Sequence, residues 1–529
     1  MPSALNPLRC SNHIAVCACT IALWLGLGAG ALATAPVPTA NAQVQLPRLG
    51  DGADLTVSAE RRLGDRIIGS LYRDPDYIDD PQLHAYVMDI WHPLVAAARQ
   101  RGDLSDELHE RFAWQVLLGK DRSINAFALP GGYLGVHLGL IGAIGSRDEL
   151  ASVLAHELSH VTQRHIARML SQDKKNMPLL LGSLILGALA AGSSPDAAQA
   201  LILGGQAASV QNQLSFSRDM EREADRVGYN LLAPAGFSPQ GAVNMFDRLQ
   251  QASRLNDNGS WPYLRSHPLT SERIADMQAR VQHSHGQAHI TSTTPTLEHS
   301  MMAARARVLS QPGVDRLRQW ANQPNLSDFS RQDVMQQAGQ LTAAALSRQQ
   351  LRDTTGARTM WERLHALAQQ QDDAAAQRQS AWLGAELALA AGQPATAQSL
   401  VEQAPVLSNT PRPALLLRSR ALLGQGAAAQ AADELQTWVT NHTKDASAWQ
   451  LLAEARRTLN QPLQALRAEA EAYVAYLDYN AALDRLKAAQ DMVQHGGIQV
   501  DHIEASIIDT RLRAVQNLLQ EQVQDSNES

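Results

Sequence analysis

Hydrophobic and polar positions follow three different patterns along the chain. The first is a single apolar run, "IAVCACTIALWLGLGAGALA" from Ile14 to Ala33, interrupted only by Thr20 and preceded by one charged side chain, Arg9. Ala40-Asn41-Ala42 then forms a small-x-small cleavage site ahead of Gln43, so residues 1–42 read as a secretory signal peptide. About 20 apolar residues can also span a bilayer as an anchor, but the Gly and Ala content and the cleavage site favour removal.

The second pattern, from residue 55 to about 280, mixes polar and apolar positions and carries every chemical motif. "ELASVLAHELSHVTQRH" (Glu149 to His165) reads as a helix, and "FSRDMEREADRVGYNLL" (Phe216 to Leu232) as an acidic amphipathic helix. Between them lie "MPLLLGSLILGALAAG" (Met177 to Gly192) and "ALILGG" (Ala200 to Gly205). Their longest apolar run is about 15 residues, short of the roughly 20 that cross a bilayer. A short apolar hairpin is expected, lying over a cleft or touching a membrane surface. "HSHGQAHITSTTPT" (His283 to Thr296) is polar and turn-rich and reads as a linker, its His283, His285 and His289 solvated.

In the third pattern, Ala-, Leu- and Gln-rich helical stretches alternate with short turns. Gly392-Gln393-Pro394, Gly424-Gln425-Gly426 and Asn460-Gln461-Pro462 resemble one another, with central glutamines 32 and 36 residues apart. "AWLGAE" (Ala381 to Glu386) recurs as "AWQLLAE" (Ala448 to Glu454), and Trp382 and Trp449 stand 67 apart, close to two periods of 34. That is the period of tetratricopeptide helix pairs, and about four are expected between 335 and 495. An irregular helical bundle is the competing reading.

Composition narrows the picture. At 529 residues the chain exceeds one ordinary domain. A net charge of −7 offers no basic face for nucleic acid. Cys10, Cys17 and Cys19 all fall within the signal segment, so the mature chain has neither disulfides nor thiol chemistry. That suits an oxidising bacterial envelope compartment.

The candidate chemistry begins at His156-Glu157-Leu158-Ser159-His160, the pattern H-E-x-x-H. Residues four apart share a helix face, so both imidazoles can hold one zinc ion, with Glu157 beside it to take a proton from water. A third ligand is needed. Glu221, Glu223 and Asp225 open the next amphipathic helix, and spacing favours Glu221 as ligand, with Asp225 orienting a ligating histidine. Glu223 is expected to pair with Arg222 or face solvent. His165 lies nine residues after His156, about 900° around a continuous helix, and is expected on the opposite face as a structural or exposed residue. The direction of His137 stays open.

H-E-x-x-H followed by Glu221-Arg222-Glu223-Ala224-Asp225 resembles the M48 family of zinc metalloproteases in the gluzincin group. "NAFALPGGYLGVHLGLI" (Asn125 to Ile141) resembles that group's edge strand, on which an extended substrate adds as a further strand. The resemblance implies substrate contacts at Asn125 and Ala126, and a Pro130-Gly131-Gly132 turn that passes close to the peptide. "YLRSHPLTSERIADM" (Tyr263 to Met277) resembles the H-P-x-T-x-x-R-I stretch of secreted members. His267 is therefore a candidate fourth ligand or oxyanion donor, while Arg273 pairs with a carboxylate and has no catalytic role.

The expected fold is mainly α with a small β-sheet: a gluzincin-like domain followed by an α-solenoid. The expected boundaries are signal peptide 1–42, metalloprotease domain 43–282, linker 283–300 and helical repeats 301–529. The resemblance implies one Zn²⁺ per chain, a periplasmic endopeptidase acting on misfolded or stalled outer-membrane proteins, and docking of the repeats on the outer-membrane β-barrel assembly machinery. The alternative is a repeat-based chaperone whose protease site is latent. An integral membrane protease is disfavoured by the short hairpin.

Overall fold

Among the described residues four short strands build a sheet in the order β1-β2-β4-β3. They are β1 (Tyr77–Ile78), β2 (Gln115–Gly119), β3 (Ala126–Leu129) and β4 (Tyr133–His137); β2 and β4 run parallel, and the outer pairs are antiparallel. The computed structural model describes residues 55–172, 218–254, 262–284, 295–405, 411–495 and 502–527. The expected signal peptide, the apolar hairpin and residues 285–294 of the expected linker lie outside them. Among the described residues no helix is long and apolar enough to cross a membrane.

β3 is a sheet edge. His137 N–H donates to the Asn125 carbonyl at 3.0 Å. Antiparallel ladders alternate, so Asn125, Phe127 and Leu129 bond to β4 while Ala126 and Ala128 turn their N–H and C=O outward. Gly131 and Gly132 take φ of +76° and +83°, conformations open to glycine. A Cβ on Gly131 would come within 2.9 Å of Arg61 Cα, and one on Gly132 within 2.7 Å of Phe112 Cβ. The glycines of this turn therefore allow close packing against the chain's own first helix and residue 112.

The helices of this half are α1 (Val57–Leu71), α2 (Pro81–Arg101), α3 (Asp106–Arg111), α4 (Leu138–Ala143), α5 (Arg147–Thr162), α6 (His165–Gln172), α7 (Arg218–Leu232), α8 (Gln240–Arg254), α9 (Tyr263–Ser266) and α10 (Ser271–Ser284). α5 starts where Ser146 Oγ accepts the Glu149 N–H, while the Glu149 carboxylate takes the Gly145 N–H, a reciprocal cap. Every residue from Val153 to Thr162 is buried, because α2, α7, α8 and β3 surround the helix. Burying Leu150, Val153, Leu154, Leu158 and Val161 contributes roughly 10 kcal/mol before conformational entropy is counted. A functional side chain on α5 therefore stands on a rigid support.

Beyond residue 295 the chain is a stack of helices: α11 (Leu297–Leu309), α12 (Val314–Asn322), α13 (Val334–Gln350), α14 (Thr354–Gln370), α15 (Ala374–Ala390), α16 (Pro394–Gln403), α17 (Arg412–Gly424), α18 (Ala428–Asn441), α19 (Ala446–Thr458), α20 (Pro462–Ala475), α21 (Tyr479–His495) and α22 (His502–Asn527). Within the pairs α15/α16, α17/α18 and α19/α20 the left-handed turn residues are Gly392, Gly426 and Asn460, with φ of +69°, +79° and +57°. They stand 34 and 34 apart. Each closes the same bond: Gln393 N–H to Ala388 O, Ala427 N–H to Leu422 O and Gln461 N–H to Arg456 O, at 2.8–2.9 Å. The repeat is thus regular when left-handed residues are aligned rather than glutamines. Trp361 of α14 lies so close over Gly384 of α15 that a Cβ there would fall 2.4 Å from its ring.

The two halves are joined by buried polar contacts, and the described residues belong to one compact unit. α11 is set into the first half: His299 joins Tyr86 OH at 2.7 Å to the Ile144 carbonyl at 3.0 Å, and Arg305 grips Asp80 at 2.6 and 2.9 Å.

Candidate metal centre

α5 presents His156, Glu157 and His160 on one face, and α7 brings Glu221 and Asp225 across from it. The approach is close because Gly228 packs directly on α5: a Cβ would stand 3.0 Å from Ala155 C and O and from His156 N. His267, at the end of α9, completes the group. One donor atom from each of His156, His160, Glu221 and His267 lies within 4.8 Å of the others. All four residues are buried.

The individual edges suit a single tetrahedral ion. Two ligands each about 2.0–2.1 Å from such an ion lie about 3.3 Å apart. Here His156 Nε2 is 3.0 Å from His160 Nε2, 3.3 Å from His267 Nδ1 and 3.5 Å from Glu221 Oε2. Glu221 Oε1 is 3.5 Å from His160 Nε2 and 2.9 Å from His267 Nδ1. Two or three imidazoles with one carboxylate are a donor set that zinc accepts readily.

The electrostatics also favour a cation. Burial opposes charge on His156, yet the Asp225 and Glu221 carboxylates outweigh it and push the imidazole up to about 10. Burial likewise opposes the Glu221 carboxylate, but His267 and His156 hold it far below the usual range. Burial pushes Glu157 upward. Its Oε2 accepts the outward N–H of Ala128 at 3.0 Å, and its Oε1 accepts no hydrogen bond among the described residues, with His267 Nε2 at 3.4 Å.

Asp225 Oδ1 lies 3.0 Å from His156 Nδ1. Arg273 donates to Asp225 through Nε at 2.6 Å and Nη2 at 2.8 Å, and its Nη1 lies 2.8 Å from Glu221 Oε2. Nη1 also donates to the Pro268 carbonyl at 2.8 Å, so Arg273 ties the loop bearing His267 to α7.

The profile of peptidase family M48 matches residues 84–281. Over 473 residues the chain is 30% identical to the beta-barrel assembly-enhancing protease of Yersinia pestis, covering 87% of this chain and 90% of that protein. The chain belongs to peptidase family M48. This M48 metallopeptidase is also 29% identical over 471 residues to the beta-barrel assembly-enhancing protease of Escherichia coli K12, with the same coverage of both. It is 35% identical over 275 residues to the putative beta-barrel assembly-enhancing protease of Vibrio cholerae, spanning 51% of this chain and 54% of that one.

Other expected residues sit elsewhere. Asn125 is buried beside the edge strand, its Oδ1 without a hydrogen-bond donor among the described residues, and Ala126 follows on the outward-facing register. His137 turns away from the centre, its Nδ1 at 2.9 Å from Ser123 Oγ. His165 is a correction: it is fully buried, with Nδ1 2.8 Å from His160 Nδ1. The helix is not continuous. α5 ends at Thr162, Arg164 takes φ +51°, and the chain turns back so that His165 lies under His160. Glu223 is a second correction: its Oε2 takes His165 Nε2 at 3.1 Å and Arg168 Nη1 at 2.9 Å, while Arg222 pairs with Asp219. A left-handed arginine has no signature in the sequence. Asx or Gly would have marked the break.

Proposed function

We propose that this M48 peptidase is an exported, periplasmic, zinc-dependent endopeptidase that degrades misfolded or stalled outer-membrane proteins and assists their assembly. The observation that carries the chemistry is the buried cluster of His156, His160, Glu221 and His267 with Glu157 beside it. The names of the relatives, beta-barrel assembly-enhancing proteases matched over most of their length, support the client class. The helical repeats are the surface offered to the outer-membrane β-barrel assembly machinery, and the apolar stretch between α6 and α7 is suited to peripheral membrane contact.

His156, His160 and Glu221 would hold one zinc ion, and His267 supplies a fourth donor. Bound there, zinc contributes Lewis acidity toward a peptide carbonyl and a water. A substrate strand adds to β3 through the outward N–H and C=O of Ala126 and the outward C=O of Ala128, whose N–H is held by Glu157, with Asn125 offering its unsatisfied carbonyl oxygen. Glu157 takes the proton from the attacking water at its free Oε1 and returns it to the leaving amine. Asp225, fixed by Arg273, holds His156 with Nε2 toward the ligand set.

The test is cleavage of an unfolded outer-membrane protein by purified residues 43–529 beside Glu157→Gln. The parent cuts; the variant does not, yet keeps about one zinc per chain, because the ligands are intact. A Glu157→Gln protein that cuts, or that has lost zinc, contradicts the assigned role.

One observation favours a second reading, a client-binding protein with a latent site. His267 Nδ1 occupies the fourth corner, and zinc without an open position does not activate water. Under that reading the parent binds clients with slow cleavage and His267→Ala cuts faster. Equal rates in the two proteins assign His267 elsewhere.

A further inference from the structure

We propose that Glu223 and His165 form a relay that positions His160 for metal binding. The inference rests on the reading of His156, His160 and Glu221 as metal ligands. It starts from the break at Arg164, which brings the His165 ring to 4.9 Å between centroids from that of His160. Both rings are fully buried.

A 2.8 Å contact between Nδ1 of His160 and Nδ1 of His165 needs one proton between two nitrogens. Which ring carries it follows from the far side of His165. Its Nε2 faces Glu223 Oε2, an oxygen that also accepts from Arg168 Nη1 and has no proton to give. His165 Nε2 therefore donates, and in the neutral ring this leaves Nδ1 as a lone pair. His160 Nδ1 then donates to that lone pair, and His160 Nε2 presents its own lone pair toward His156 and Glu221. A metal binds an imidazole nitrogen only through such a lone pair, so the chain of contacts selects the ligating tautomer and fixes the ring plane.

The arrangement parallels the other histidine. Asp225 reaches His156 Nδ1 directly; Glu223 reaches His160 Nδ1 through one intervening imidazole. Glu221, Glu223 and Asp225 all lie on α7, so one helix supplies a ligand and orients both others. Arg168 and His165, three apart on α6, clamp Glu223 from the opposite side.

The experiment is zinc affinity of the full chain, measured by competition with a chromophoric chelator. Glu223→Ala and His165→Phe are expected to bind zinc about 10–100-fold more weakly than the parent, the usual loss when an outer partner of a ligand is removed. Glu223→Gln keeps an acceptor oxygen for His165 Nε2 and restores most of the affinity. Glu223 is partly exposed, so Glu223→Ala is decisive even where His165→Phe does not fold. Parent affinity in Glu223→Ala, or no rescue by Glu223→Gln, overturns the relay. A parent that takes up no zinc overturns the metal reading itself, and the relay with it.

Discussion

Replacing Arg412 by alanine strips two aspartates of their shared counter-ion at the junction between the peptidase half and the repeats. Arg412 holds Asp79, just ahead of α2, through Nη1 at 2.8 Å and Nη2 at 2.6 Å. It holds Asp445, the cap of α19, through Nε and Nη2, both at 2.9 Å. Asp79 and Asp445 are 16% and 6% exposed, so while the pair is intact the guanidinium, not water, compensates most of their charge. Burial acts against the Asp79 carboxylate, but Arg412 more than offsets it and lowers the group from 3.8 to about 2. That shift alone corresponds to about 2 kcal/mol. Asp445 loses the same counter-ion and keeps only the Trp438 Nε1–H and Ala448 N–H donors, so Arg412→Ala is expected to cost about 3–5 kcal/mol, the range for breaking a buried pair from one side. A lowered carboxylate pKa gives stability that is full above pH 3.8 and is lost as pH falls through about 2, so parent and variant should converge across that window. The assay is urea unfolding of the parent, Arg412→Ala, Asp79→Asn and the double variant, read as a cycle. A coupling of about 2 kcal/mol or more is expected. A coupling below about 0.5 kcal/mol would place the pair among exposed ion pairs and refute the reasoning.

Two further perturbations test separate parts of the structure. Gly228→Ala drives a methyl group against the backbone of Ala155 and His156 and should cost about 1–3 kcal/mol in urea unfolding while loosening zinc, since Glu221 sits two turns along the same helix; parent-like stability and affinity would mean that α5 and α7 have slack. His84 is partly buried, and burial, reinforced by the Arg412 cation, lowers its imidazole from 6.5 to about 4. The unfolded chain therefore takes up a proton below pH 6.5 that the folded chain resists until about pH 4, so stability is full above 6.5 and declines by about 2 kcal/mol across that interval, allowing for the ring's solvent access. His84→Gln should flatten that stretch of the stability–pH curve, and an unchanged slope would remove His84 as its cause.

The residues legible in the sequence are those whose relation depends on one regular helix. His156, Glu157 and His160 fall together because α5 is unbroken between them; Glu221 and Asp225 do so on α7. Legibility ended where a helix did. The nine-residue count from His156 to His165 assumed continuity through Arg164, and one left-handed residue reversed its conclusion. The partners of Glu223 are hidden from the sequence for the same reason, since both are carried on the turned-back α6. The repeat register failed more mildly. In Gly424-Gln425-Gly426 either glycine can end a helix, and only the backbone identifies Gly426 as the left-handed residue that matches Gly392 and Asn460. Composition could not assign the Pro130-Gly131-Gly132 turn either, because a glycine needed for close approach does not name what approaches.

Charge gives a separate reason for a divalent ion at the centre. Four carboxylates converge there, from Glu157, Glu221, Glu223 and Asp225, and two arginines face them: Arg168 on Glu223, and Arg273 shared between Asp225 and Glu221. Among the described residues two negative charges are left over, one more than a single proton neutralises. Burial makes such an excess expensive, because unpaired charge loses its hydration without a compensating partner. The rise of His156 to about 10 expresses the same imbalance, a buried imidazole retaining positive charge against its own desolvation. A dication meets both remaining charges at once and lets every histidine act as a neutral ligand. Calcium and magnesium also carry that charge but prefer all-oxygen sites, so the imidazole nitrogens at the corners select for zinc-like ions. Glu223 and Asp225, each already matched by an arginine, are then free to orient histidines rather than to bind.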